Sequence, residues 1–214
     1  MKFQFKSPGR VAAFSILDLA GVVTVLAVLL TLLLISLGVP RAKSQRIQCV
    51  SHLKNIGLSF RIFATEHGDR LPGNPNETAT DSSVFDQTFQ HFLSLSNEFS
   101  RFKMLVCPAD TRSAAHSLTT LANSNISYFV GLDDWQTRPN TLLAGDRNIT
   151  NGSAPKRGVL ELTPSKPAGW THEIHGNQGN VVMGDGSVQQ ADSTRLNSLT
   201  QQRGQAPIRI LLPE

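Results

Sequence analysis

Cysteine is scarce in this 214-residue chain, with only Cys49 and Cys107. A disulfide-rich scaffold is therefore excluded, and the single bridge available is Cys49–Cys107. Charged residues are also sparse, at 17% of the chain, and unevenly placed. Residues 1–13 contain Lys2, Lys6 and Arg10 and no acid, whereas residues 14–214 hold 17 basic and 16 acidic side chains. The formal net charge of +4 thus belongs mainly to a short leader. The body lacks the surplus of one sign that a nucleic-acid partner requires. Catalytic signatures are missing too. In HEIH (residues 172–175), His172 and His175 stand three apart, while the zinc-helix motif sets its histidines four apart. Ser187 in GDGSV does not fit the G-x-S-x-G elbow. Cys107 has His116 and His175 only at a distance in sequence. No segment repeats, and no enzymatic activity is expected.

What is present is a long apolar run. Residues 19–39 are 21 consecutive positions without a charge. At about 1.5 Å per residue, a helix of that length covers the ~30 Å hydrocarbon core of a bilayer. A secretory signal peptide has an apolar region of only about 7–15 residues followed by a small-residue cleavage site. Here the run is longer, and Pro40-Arg41-Ala42-Lys43 follows it. A membrane-spanning helix is predicted. Lys2, Lys6 and Arg10 favour a cytoplasmic N-terminus, with Arg41, Lys43 and Arg46 as counterweight. The expected location is a bacterial inner membrane, crossed once, with the rest of the chain in the periplasm. In that compartment Cys49 and Cys107 are either bridged or two buried thiols. Asp18 opens the apolar run, and a carboxylate at the centre of a span costs roughly 2.5–3.5 kcal/mol. It is either an interfacial residue solvated by headgroups or one that awaits a partner charge.

Beyond the span, Ile47, Val50, Leu53, Ile56, Phe60 and Phe63 recur at three- and four-residue steps and predict one amphipathic helical stripe. Gly68 supplies a cap, and Pro72 excludes continuation. Residues 69–83 read as a loop. Phe85, Phe89, Phe92 and Leu93 suggest a short helix, and RFKMLVCPADT an extended run. Short strands follow in ISYFVGL, TLLAGDR, GVLELT, NVVMG and SVQQA, with IRILL as an edge segment. Asp185-Gly186 between two apolar runs marks a hairpin turn. The expected class is α+β, with a long N-terminal helix packed on a small antiparallel sheet of three to five strands. Its parts are a leader at 1–13, a span at 14–39, an amphipathic continuation at 40–68 and a globular region at 69–214. Asp133, Asp134, Asp146 and Asp185 are candidate calcium ligands, with turn formation as the alternative. The sequons at Asn76, Asn125, Asn148 and Asn151 fit ordinary loop composition.

The order at the N-terminus is basic leader, Ala13, Phe14, Ser15, Ile16, Leu17, Asp18, Leu19 and then an unbroken apolar helix. It resembles the cleavage and methylation segment of type IV prepilins and type II secretion pseudopilins. In that pattern glycine, phenylalanine, threonine, leucine, isoleucine and glutamate precede the helix. Ala13 stands here for the glycine and Asp18 for the glutamate. RAKSQRIQCVSHLKNIGLSFRIFATEHGDRLP, CPAD, SYFVGLD, LLAGDRNIT and HGNQGNVVMGDGSVQQ look like a pseudopilin-like family abundant in verrucomicrobial and planctomycete genomes. The resemblance implies cleavage by a prepilin peptidase between Ala13 and Phe14 and N-methylation of Phe14. It also implies a filament in which Asp18 meets a neighbour's terminal amine. The partners implied are that peptidase, other pilin or pseudopilin subunits, an inner-membrane assembly platform and membrane lipid. The alternatives are a single-span anchored binding protein and an anchored enzyme.

Overall fold

The computed structural model describes residues 16–36, 40–73, 86–99, 101–133, 141–201 and 207–214. Ala13, Phe14, Asn76, Asp134 and most of the 69–83 loop lie outside the described residues. The chain divides into two compact units, with the boundary between Arg41 and Ala42.

The first unit contains α1, Ile16–Ser36, whose first turn holds Asp18. Aliphatic side chains surround its axis, and the large ones are 52–86% exposed. Ile16–Leu34 is long and apolar enough to cross a membrane, and none of it is buried by the rest of the chain. The Thr24 and Thr31 hydroxyls donate to the Gly21 and Val28 carbonyls at 2.8 Å. Their polar groups are thus satisfied within the helix, as a lipid environment requires.

The second unit is α+β. Helix α2, Pro40–Glu66, is followed by α3, Thr88–Ser94. The strands are β1 Tyr128–Gly131, β2 Leu142–Asp146, β3 Ile149–Thr150, β4 Val159–Leu162, β5 Gly169–Trp170, β6 Gln178–Met183 and β7 Val188–Asp192. Helix α4, Ser193–Gln201, and β8, Ile208–Leu211, close the chain. Six strands form one antiparallel sheet in the order β4-β8-β1-β2-β6-β7, and β3 pairs with β5 in a separate ribbon.

The sheet is apolar on both faces because alternate residues of its central strands point opposite ways. Tyr128, Val130, Ala144 and Val182 face a core completed by Cys49, Leu53, Ile56 and Phe60 of α2 and Phe92 of α3. Phe129, Leu142, Val181 and Met183 face a second core with Trp170 of β5 and Leu196 and Leu199 of α4. A register shift between Leu142 and Ala144 lets Leu143 and Ala144 share the first face. Helix α2 comes so close to β6 that a Cβ on Gly57 would stand 2.6 Å from the Val182 Cγ2.

Several details correct the sequence reading. The buried stripe of α2 is Cys49, Leu53, Ile56, Phe60 and Ala64, while Ile47 is 57% exposed. The run at 102–105 is a 3-10 turn, Phe102–Leu105, that buries Met104 and Leu105. The sheet has six strands rather than five at most. β8 is not an edge, since it pairs with both β1 and β4. Ile208 and Ile210 are buried in the second core, while Arg209 between them is exposed. The Asp185-Gly186 hairpin forms between β6 and β7. Gly186 has φ 84°, and the Ser187 N–H donates to Asp185 Oδ1 at 2.8 Å.

Candidate functional site

Four segments far apart in sequence converge where α2 meets the end of β2. Cys49 lies on the buried face of α2, and Asp146 is the last residue of β2. Cys107 follows the Phe102–Leu105 turn, and His175 lies in the link between β5 and β6. One ligating atom from each lies within 4.8 Å of all the others. Among the described residues, this is the one group of three or more His, Cys, Asp or Glu side chains placed to hold a metal ion.

The contacts are specific. The Cys49 thiol donates to Asp146 Oδ1 at 3.0 Å and lies 3.4 Å from the Tyr128 hydroxyl. Cys107 Sγ is 3.3 Å from His175 Nε2, and the same nitrogen is 3.7 Å from Asp146 Oδ2. The Asn180 backbone N–H and side-chain amide both donate to Asp146 Oδ2, at 2.7 and 2.8 Å. Cys49, Cys107, Asp146 and Tyr128 are fully buried, and the His175 side chain is 3% exposed.

A surrounding set of polar contacts holds these segments in register. Arg147, adjacent to Asp146, pairs with both Asp110 oxygens at 2.8 and 2.9 Å and with Glu173 at 2.7 Å. It thereby ties the loop of Cys107 to the loop of His175. The Asn148 amide donates to the carbonyls of Thr171, Ile174 and Gln178, at 2.9, 2.9 and 3.1 Å. Arg46, three residues before Cys49, donates to the Gln178 side chain and, at 3.4 Å, to Asn180 Oδ1 and the Gly179 carbonyl. His52 Nδ1 lies 3.1 Å from the Val106 carbonyl, and Gln45 donates to the Pro108 carbonyl at 3.1 Å.

Crowding acids into one dry space moves their titration apart. Burial pushes Cys49 far up, aided by its hydrogen bond with Cys107 and the Asp146 charge. Bonding to Cys49 lowers Cys107 to about 5; burial opposes this and His175 assists it. Burial raises Asp146 to about 7, followed in effect by the nearby Cys107 charge. For His175, burial works downward, but Cys107 and Asp146 prevail and raise it.

The sequence expectations divide against this geometry. Cys49 and Cys107 do come together, and of the two alternatives the structure has them as buried free thiols. The Cys49 sulfur instead contacts Asp146, and the Cys107 sulfur contacts His175. His172 is exposed and takes no part. The calcium candidates among the described residues, Asp133, Asp146 and Asp185, are not brought together. Asp133 accepts from Arg209 at 3.0 and 3.2 Å, Asp185 shapes the β6–β7 turn, and Asp146 sits with two sulfurs. Asn125, Asn148 and Asn151 each use the side-chain amide to bond a backbone carbonyl. Asp18 is on α1, in the other unit. The set as a whole has no local motif, because contacting members are separated by 97 and 68 residues.

The geometry does not suit a nucleophilic relay. In such a relay one imidazole nitrogen faces the nucleophile and the other faces the carboxylate. Here one nitrogen, Nε2, faces both Cys107 and Asp146. Comparison with family models, curated proteins and solved structures gave no match for the chain.

Proposed function

We propose that this chain is a membrane-anchored, pilin-like structural subunit, inserted through α1 and drawn into a filament by it. The observation that carries the reading is the exposure of α1. A 21-residue apolar helix with Asp18 in its first turn, unburied by its own chain, requires lipid or neighbouring helices around it. The resemblance of residues 13–19 to a prepilin processing segment supports this reading. So does the packing of α2 against an antiparallel sheet. On this reading the leader is removed on the cytoplasmic side, Phe14 becomes the methylated terminus, and the α+β unit lies in the periplasm. Asp18 then sets the register with a neighbour's amine, a heterologous contact that does not close and so builds a filament.

Mass spectrometry of the N-terminus in the native host tests the processing step. The expected product begins at N-methylated Phe14. Retention of Met1 rejects processing and leaves a single-span anchored protein. Asp18→Ala tests assembly: cleavage should persist while incorporation into filaments falls. Unchanged incorporation would remove Asp18 from the assembly step.

A further inference from the structure

We propose that Cys49, Cys107, Asp146 and His175 form a closed structural site for one zinc ion. Two sulfurs, one imidazole nitrogen and one carboxylate oxygen make a donor set that suits zinc and is foreign to calcium, which takes oxygens. The burial of all four ligands matches a structural site rather than a catalytic one, which keeps an open position.

The spacing fits. Bonds of about 2.3 Å to sulfur and about 2.0–2.2 Å to nitrogen and oxygen place tetrahedral ligands about 3.3–3.8 Å apart. Cys107 Sγ and His175 Nε2 stand 3.3 Å apart, within that range, and Cys49 Sγ and Asp146 Oδ1, hydrogen-bonded at 3.0 Å, would part by about 0.5 Å once the thiol proton is gone. The longest separation in the set, no more than 4.8 Å, closes with side-chain movements of about 1 Å towards a common centre.

The surroundings also fit. Metal-bound carboxylates and sulfurs are held by a further layer of donors. Asn180 holds Asp146 Oδ2 with two N–H groups, which leaves Oδ1 to ligate. The Tyr128 hydroxyl lies against Cys49 Sγ. On binding, each coordinating thiol gives its proton to solvent. Two thiolates and one carboxylate then exceed the charge of the zinc ion by one. Arg46, held by Gln178, Gly179 and Asn180 beside the site, supplies the compensating positive charge.

The alternative fate of two nearby thiols is a disulfide. It would join Cys49 to Cys107 but give no role to Asp146, a buried carboxylate aimed at the same point. It would equally leave unexplained why His175 presents one nitrogen to sulfur and carboxylate together. An ion accounts for all four residues. It would fasten α2 to the end of β2 and to both flanking loops. The inference does not rest on filament assembly; retention of Met1 would leave it untouched.

The test uses the full chain purified in detergent, reduced, stripped with chelator and titrated with Co2+ and then Zn2+. About one ion per chain is expected. The cobalt form should show intense thiolate-to-metal charge transfer together with tetrahedral ligand-field bands, and Zn2+ should displace it with loss of colour. Asn180→Ala, which leaves all four ligands in place, should weaken zinc binding about 10–100-fold. His175→Cys should retain binding with stronger charge transfer, while Cys107→Ser, which leaves one thiolate, should reduce that band by about half. A weak, octahedral cobalt spectrum in the unaltered chain overturns the proposal. So does a Cys49–Cys107 bridge in protein isolated from metal-replete native cells. Because the unaltered chain decides by itself, a variant that fails to fold does not blunt the test.

Discussion

The register of α2 on the sheet can be tested with two alanine substitutions six residues apart. Leu53 is fully buried in the core between α2 and the sheet, whereas Ile47 is 57% exposed although the sequence pattern places it on the same stripe. Leu53→Ala removes three carbon groups worth about 0.8 kcal/mol each, so about 2.4 kcal/mol is lost in transfer alone. The cavity term extends the cost towards 5 kcal/mol, because a fully buried site in the core that also holds Tyr128 and Phe92 collapses only partly (about 2–5 kcal/mol is typical). Ile47→Ala forfeits less than half of its transfer value and should cost below about 1 kcal/mol. The assay is urea unfolding of the full chain in detergent at fixed metal content, followed by tryptophan fluorescence. Trp170, 6% exposed in the second core, reports on loss of the sheet. With a slope of about 2 kcal/mol/M, a 3 kcal/mol loss lowers the midpoint by about 1.5 M, and Ile47→Ala should move it by less than about 0.5 M. Equal shifts for the two variants would refute the helix orientation, and with it the placement of Cys49 towards Asp146.

Three further outcomes are expected. Burial works to raise the Asp110 carboxyl, but the bonds from Arg147 prevail and hold it below its ordinary value of 3.8. Its contribution to stability is therefore complete above that pH and lost as pH falls through the lowered value; Asp110→Asn should flatten the acid limb of a stability–pH profile below about pH 4. Asn148→Ala strips one donor group from three carbonyls and should cost about 2–4 kcal/mol in urea unfolding, with weaker zinc binding as the 171–178 segment loosens. His175→Gly relieves a left-handed backbone worth about 1–2 kcal/mol and adds about 0.5–1 kcal/mol of chain entropy. The chelated protein should therefore change little in thermal unfolding, while the stabilisation by added Zn2+ disappears; a large loss without metal would make His175 a packing residue.

What the sequence reveals and what it conceals follow from the range of the interactions involved. The absence of charge over residues 19–39 identifies α1, because the apolar character of such a helix is carried by each residue separately. The hairpin at Asp185-Gly186 is legible because φ 84° at Gly186 is a local demand. The stripe on α2 is half legible. Leu53, Ile56 and Phe60 reveal it, but counting Ile47 rather than Cys49 rotates its start, although free cysteine is among the most buried residue types. The interior position of β8 depends on β1 and β4, which its four residues do not encode. The candidate metal site is the extreme case. Each member is visible singly, two as a bridge, Asp146 as a calcium ligand and His175 in HEIH, but convergence of residues spread from Cys49 to His175 leaves no periodic trace.

The loop that delivers His175 shows why these four residues belong together. His175, Gly176 and Asn177 have φ of 55°, 60° and 62°, three left-handed residues in succession. Single residues adopt that region at a cost of roughly 1–2 kcal/mol when they carry a side chain, and they persist only where surrounding bonds over-determine them. Those bonds are present: Asn148 holds two carbonyls of the loop and that of Gln178, where β6 begins, and Arg147 holds Glu173. A connection whose sole task was to join β5 to β6 would need neither the left-handed backbone nor the clamps. Both are explained if the loop must present Nε2 beside Cys107 and Asp146. Helix α2 is the element through which the chain enters the globular unit, and Cys49 is its contribution to the cluster. An ion there would bind the entry helix to the sheet and to both loops that flank the end of β2.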